Sequence, residues 1–126
     1  DFRIPNDWAR LTATCHHNSP ELKNLAKKFV EDKVKREPYL FYLWGHSYEF
    51  ETDYNWNVIE DFAEFIGNRD DIWYATNIEI YDYIEAYNRL IFSVDGRRVK
   101  NPSSRKIWFE YSKEIIEIGA GEMIEI

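Results

Sequence analysis

The chain of 126 residues contains three histidines, His16, His17 and His46, and each stands where an imidazole could do chemistry. His46 follows an apolar run and a glycine in "LFYLWGHSYEF" (Leu40 to Phe50), with the Ser47 hydroxyl and the Glu49 carboxylate directly after it. An imidazole titrates near neutrality, so at such a place it can act as general acid or base, or it can close a strand end by hydrogen bonding. His16 and His17 are neighbours, and on a strand neighbouring side chains point to opposite faces, so one of the two at most is expected beside His46. A three-ligand zinc site drawn from His16 or His17, His46 and Glu49 is the metal reading of the same residues. Cys15 is the single cysteine and is expected to be a structural thiol. There is no Gly-rich phosphate loop, no G-x-S-x-G, no H-E-x-x-H and no C-x-x-C, and the carboxylate pairs Glu60-Asp61 and Asp70-Asp71 read as solvated charge.

These residues need elements to bring them together. Ser19-Pro20 followed by Leu22, Leu25, Ala26, Phe29 and Val30 predicts a helix from about Pro20 to about Lys35. The run "YLFYLWG" predicts a strand covered on both faces, as in parallel sheets. Trp56, Ile59, Phe62, Ala63 and Ile66 form a second helical stripe that Gly67 stops. "DIWYATN" (Asp71 to Asn77) reads as a further short strand, and Thr76 with Glu79 reads as the capping box of a third helix. A first strand is expected at about Leu11 to Cys15.

The first ninety residues therefore alternate strand and helix, which predicts an α/β fold, a partial (β/α) barrel. Residues 91–126 hold short β runs with turn signals, Asp95-Gly96 the strongest, and predict a β-hairpin extension within one domain, 1–126. In a parallel sheet the ligand site lies where strands hand over to loops. That puts "TCHHNS", "GHSYE" and "ATNIE" on one rim, with His46 as the catalytic candidate and His17, Glu49 and Asn77 as substrate-binding candidates.

With 23 acidic against 16 basic residues the charge is -7, which argues against a nucleic-acid partner. The densest basic run, Lys27 to Arg36, is interrupted by Glu31 and Asp32 and reads as a solvated helix face. No stretch approaches the ~20 apolar residues of a membrane span and no signal peptide is visible, which leaves the compartment open. Aromatic residues make up 17% of the chain, an excess that suits stacking on sugar rings as well as core packing. The chain opens at Asp1 without a methionine, and residues upstream are expected.

At "LFYLWGHSYEF", "NWNVIEDF", "DDIWYATNIEIYDYI" and "NPSS" the sequence resembles the C-terminal half of bacterial polysaccharide deacetylases, the NodB-homology family, over Asp7 to about Trp108. The resemblance implies a distorted (β/α) barrel and a hydrolase of carbohydrate metabolism that removes acetyl groups from sugar polymers. It implies a divalent, zinc-like metal held by one aspartate and two histidines from T-F-D-D and H-x-x-x-H, neither of which occurs here. It further implies that Trp44 lines the acetyl pocket as a substrate-binding residue and that His46 protonates the leaving amine. A fourth family motif pairs an aspartate with a tryptophan, for which Asp7-Trp8 and "TCHH" are both candidates. On this reading the chain binds a carbohydrate, is inactive alone, and needs an N-terminal half or a second copy to cover an open sheet edge. The alternative is a non-catalytic domain for carbohydrate binding or protein interaction.

Overall fold

The computed structural model describes residues 1–32 and 37–126. These form two compact units, Asp1–Ile72 and Trp73–Ile126.

In the first unit, β1 (Cys15–His16) and β2 (Leu43–Trp44) pair in parallel, with Cys15 opposite Leu43 and His16 opposite Trp44. The short ladder is extended at its start, where Thr14 N–H donates to the Tyr42 carbonyl at 2.7 Å and Tyr42 N–H donates to Thr14 Oγ1 at 2.9 Å. Between the strands lies α1 (Leu22–Glu31), which buries Leu22, Ala26 and Phe29 at helical spacing. The helix begins two residues after Pro20, with Ser19 Oγ accepting from Glu21 N–H at 3.3 Å. Its expected extension to Lys35, and the end of the basic run at Arg36, lie outside the described residues. After β2 come α2 (Ser47–Thr52) and α3 (Trp56–Ile66), and Gly67 ends α3 by donating to the Ala63 carbonyl at 2.9 Å. α1 packs against α3. Phe2 joins the core through Phe29, edge to face at 5.4 Å between ring centroids, and through a hydrogen bond from Leu40 N–H to its carbonyl.

In the second unit, α4 (Asn77–Asn88) begins with a capping box: Thr76 N–H donates to Glu79 Oε2 at 2.7 Å and Glu79 N–H donates to Thr76 Oγ1 at 3.4 Å. Five strands follow: β3 (Ile91–Phe92), β4 (Arg98–Lys100), β5 (Ile107–Tyr111), β6 (Glu114–Ile118) and β7 (Met123–Glu125). They make an antiparallel sheet in the order β3-β4-β7 and an antiparallel hairpin β5-β6. Ala86, Val99, Ile107, Phe109 and Ile118 are the core. Asn101 is fully buried and holds the "NPSS" turn: its Nδ2 donates to the carbonyls of Arg105 and Gly119, and its Oδ1 accepts from Ser103 N–H and Oγ.

The expected partial (β/α) barrel is not what forms. Among the described residues the only parallel pairing is the two-residue ladder of β1 and β2, and every other ladder is antiparallel. Barrel closure requires each strand to be bonded along both edges, whereas β1 and β2 bond only to each other. The expected third strand at Asp71 to Asn77 is irregular, with Trp73 and Tyr74 exposed, so its aromatic residues fit a strand by type while its backbone lacks a ladder. β2 is also not covered on both faces: Trp44 is 47% exposed.

Candidate functional site

Parallel register brings the ends of β1 and β2 side by side, and the chain beyond each end supplies the site. His17 N–H donates to the Trp44 carbonyl at 3.0 Å, which carries the pairing one residue past β1. The His17 ring then lies against the backbone of Gly45, where a Cβ would stand 1.8 Å from Nδ1. Phe50 covers the ring at 4.2 Å between centroids, and the His16 ring lies at the same separation. His17 is thereby 2% exposed.

Gly45 turns the chain so that His46 takes an extended conformation at the N-cap of α2. His46 N–H donates to Glu49 Oε2 at 2.8 Å, and Glu49 N–H donates to the His46 carbonyl at 3.1 Å. The same Oε2 has His16 Nε2 at 3.2 Å, His46 Nδ1 at 3.3 Å and His17 Nε2 at 3.7 Å. All three imidazoles of the chain therefore surround one carboxylate oxygen. The tautomer of His16 follows from its other nitrogen: Nδ1 accepts from Asn18 N–H at 3.1 Å, so the proton is on Nε2 and points at Glu49. His17 Nε2 is buried and has no hydrogen-bond partner, because 3.7 Å is too long for one.

The Glu49 carboxyl is held below its ordinary value, first by the His46 N–H, then by the His46 imidazole and by the charges of His16 and His46, against a partial desolvation that raises it. It is a carboxylate at neutral pH. Cys15, one residue before the cluster, has its thiol pushed up by burial, which disfavours the thiolate and agrees with a structural role. Around His46 the exposed rings of Trp44 and Tyr48 stand edge on at 5.8 Å and stacked at 5.2 Å. A cavity of about 600 Å³ opens between α1 and α3, lined by His17, Asn18, Leu22, Ala26, Val58 and Phe62 among others.

The structure thus gathers His46, Glu49, His17 and Trp44 in the first unit, and adds His16. Asn77 belongs to the second unit, where it is the first residue of α4 after the Thr76 cap. Strand alternation, which allows only one of His16 and His17 beside His46, stops applying because β1 ends at His16 and His17 is already in the turn. The signal for that was "NSP" directly after the pair, a turn-forming run.

Comparison of the chain with protein-family models, with curated proteins and with solved structures finds no match. The divalent metal that the deacetylase resemblance implies belongs to two motifs this sequence lacks, so the residues present do not fit that metal site. The groups here that could hold a cation are a different set, His16, His46 and Glu49, whose ligand atoms all lie within 4.8 Å of one another. Among the described residues no helix is long and apolar enough to cross a membrane.

Proposed function

We propose that the chain carries the proton-donating side of a carbohydrate deacetylase, with His46 as the acid and the exposed rings of Trp44 and Tyr48 as the surface for the sugar. The observation that carries this reading is an exposed imidazole with a carboxylate on one nitrogen: His46 Nδ1 stands 3.3 Å from Glu49 Oε2 while the ring is 53% exposed. A carboxylate in that place orients the ring through Nδ1 and leaves Nε2 for the substrate. Once water has added to the acetamide carbon, the C–N bond breaks with its electron pair going to nitrogen. The proton on His46 Nε2 then moves to that nitrogen, giving acetate and a free sugar amine. In the resemblance the proton of the attacking water goes to an aspartate of T-F-D-D. That motif is absent from these residues, so the chain by itself is expected to release no acetate.

The test is titration with acetylated and deacetylated glucosamine oligomers, followed in ¹H–¹⁵N spectra. The reading expects saturable shifts at Trp44, His46 and Tyr48, stronger for the acetylated oligomers, with that preference lost in H46Q and all binding lost in W44A. No shift at these residues with millimolar oligomer would overturn it. A carbohydrate-binding domain without catalysis shares the aromatic surface, and under that rival H46Q discriminates between the oligomers as the wild type does.

A further inference from the structure

The proton-transfer reading uses His46 and Glu49 and leaves two imidazoles without a purpose. His16 and His17 both reach the same Glu49 oxygen, which already accepts the His46 N–H. A carboxylate oxygen has two lone pairs, and three ring nitrogens crowd the one that remains. His17 Nε2 goes without a hydrogen-bond partner although its side chain is 2% exposed and its nitrogen lies 3.7 Å from Glu49 Oε2. A buried imidazole nitrogen left unsatisfied is costly, and a cation shared among these groups removes that cost.

The spacing fits such a cation. Ligand atoms about 2.0–2.1 Å from a tetrahedral ion stand ~3.3 Å from one another. The observed separations from Glu49 Oε2 are 3.2 Å to His16 Nε2, 3.3 Å to His46 Nδ1 and 3.7 Å to His17 Nε2. Three imidazoles and one carboxylate are the donor set of zinc and its transition-metal neighbours, whereas magnesium and calcium take oxygen ligands. His16, His46 and Glu49 are mutually close. His17 Nε2, 3.7 Å from Glu49 Oε2, lies just outside that set and must shift inward to serve as a fourth donor.

We infer that His16, His46 and Glu49, with His17 as fourth donor, form a binding site for one divalent transition-metal ion of the zinc class. The inference does not rest on the deacetylase reading, and an ion held by His46 Nδ1 and Glu49 Oε2 would take the place of the contact between them that the reading uses. Loading has a local requirement: His16 must give up the proton on Nε2, and with it the hydrogen bond that Asn18 N–H makes to Nδ1.

The experiment is calorimetric titration of the chelator-stripped chain with zinc chloride, magnesium and calcium as controls, beside ¹H–¹⁵N spectra of the backbone and the imidazoles. The expected result is one zinc per chain, no magnesium or calcium binding, displaced imidazole signals for His16 and His46, and a large shift of the Asn18 amide. E49Q keeps a carbonyl oxygen for the His46 N–H, so α2 retains its cap, and it should weaken zinc about tenfold or more. H16Q should do the same, with folding checked by the thermal midpoint of each apo variant. Absence of saturable zinc binding, or binding that E49Q and H16Q leave unchanged, overturns the site. Zinc binding without any response to sugar keeps this site and removes the deacetylase reading, and sugar binding without zinc binding does the reverse.

Discussion

The imidazole of His17 occupies the space that a side chain on Gly45 would need: a Cβ there would lie 1.8 Å from His17 Nδ1. The glycine between Trp44 and His46 is thus fixed by packing. It admits the His17 ring, which Phe50 covers at 4.2 Å between centroids.

G45A follows as the first variant to make. The added methyl cannot coexist with the ring, and overpacking of a tight site costs about 1–3 kcal/mol. The thermal midpoint of the first unit should fall and the His17 ring signals should move. A variant with unchanged midpoint and unchanged His17 resonances would disprove the packing argument.

Asn101 offers a test in the second unit. Truncation by N101A removes the donations to the carbonyls of Arg105 and Gly119 and the acceptor of the Ser103 N–H, and it empties the place of a fully buried side chain. Each lost hydrogen bond costs about 0.5–1.5 kcal/mol, so together they are a large loss against the stability of a small unit. N101D keeps the acceptor for Ser103 but sets a buried carboxylate oxygen against the two carbonyls, and is expected to lie at or below N101A in urea titration at neutral pH. Equal midpoints for all three would count against this role.

The capping box of α4 gives a pH dependence. The Glu79 carboxyl is held below its ordinary value, first by the Thr76 N–H, then by the Thr76 hydroxyl and by the charge of Arg105, against a smaller desolvation that raises it. A depressed folded-state value contributes stability that is present above the unfolded value and is lost as pH falls through the folded one. Thermal scans from about pH 6 to about pH 3 should show the wild type losing its advantage over E79Q at the acid end. An advantage that persists or grows in acid would refute the assignment.

The hairpin of β5 and β6 turns through Ser112 and Lys113, whose φ angles are 50° and 68°. Both sit in the left-handed region that suits a primed turn and that side chains other than Asn, Asp and Gly adopt at a cost. Replacing the pair with Asn-Gly keeps the turn and removes the strain, with an expected gain of about 0.5–1 kcal/mol. A lower urea midpoint in S112N/K113G would show that the side chains do more there than turn the chain.

The parts of the structure that sequence reasoning reached are those with local signatures. Residues 22–29 show a helical stripe, Thr76 with Glu79 spells a cap, and Asp95-Gly96 marks a turn, with Gly96 at a φ of 69°. The approach of His46 to a histidine of the first strand was also legible, because two parallel strands joined by a helix end on the same side. α2 was missed: it has six residues, and its N-cap is His46, which is outside the usual set of Ser, Thr, Asp and Asn. The barrel was expected because residues 71–77 carry strand-forming types. Whether such a run joins a sheet depends on a partner edge, which is a long-range property that composition does not encode.

Glu49 ties the first turn of α2 to the histidine cluster through a single atom, since Oε2 accepts the His46 N–H and also faces the three imidazoles. Whatever competes for that oxygen loosens the helix start, and whatever neutralises the crowd around it tightens the same turn. Amide hydrogen exchange at His46 therefore serves as a built-in gauge of the cluster: the exchange rate of one backbone proton reports the state of four side chains.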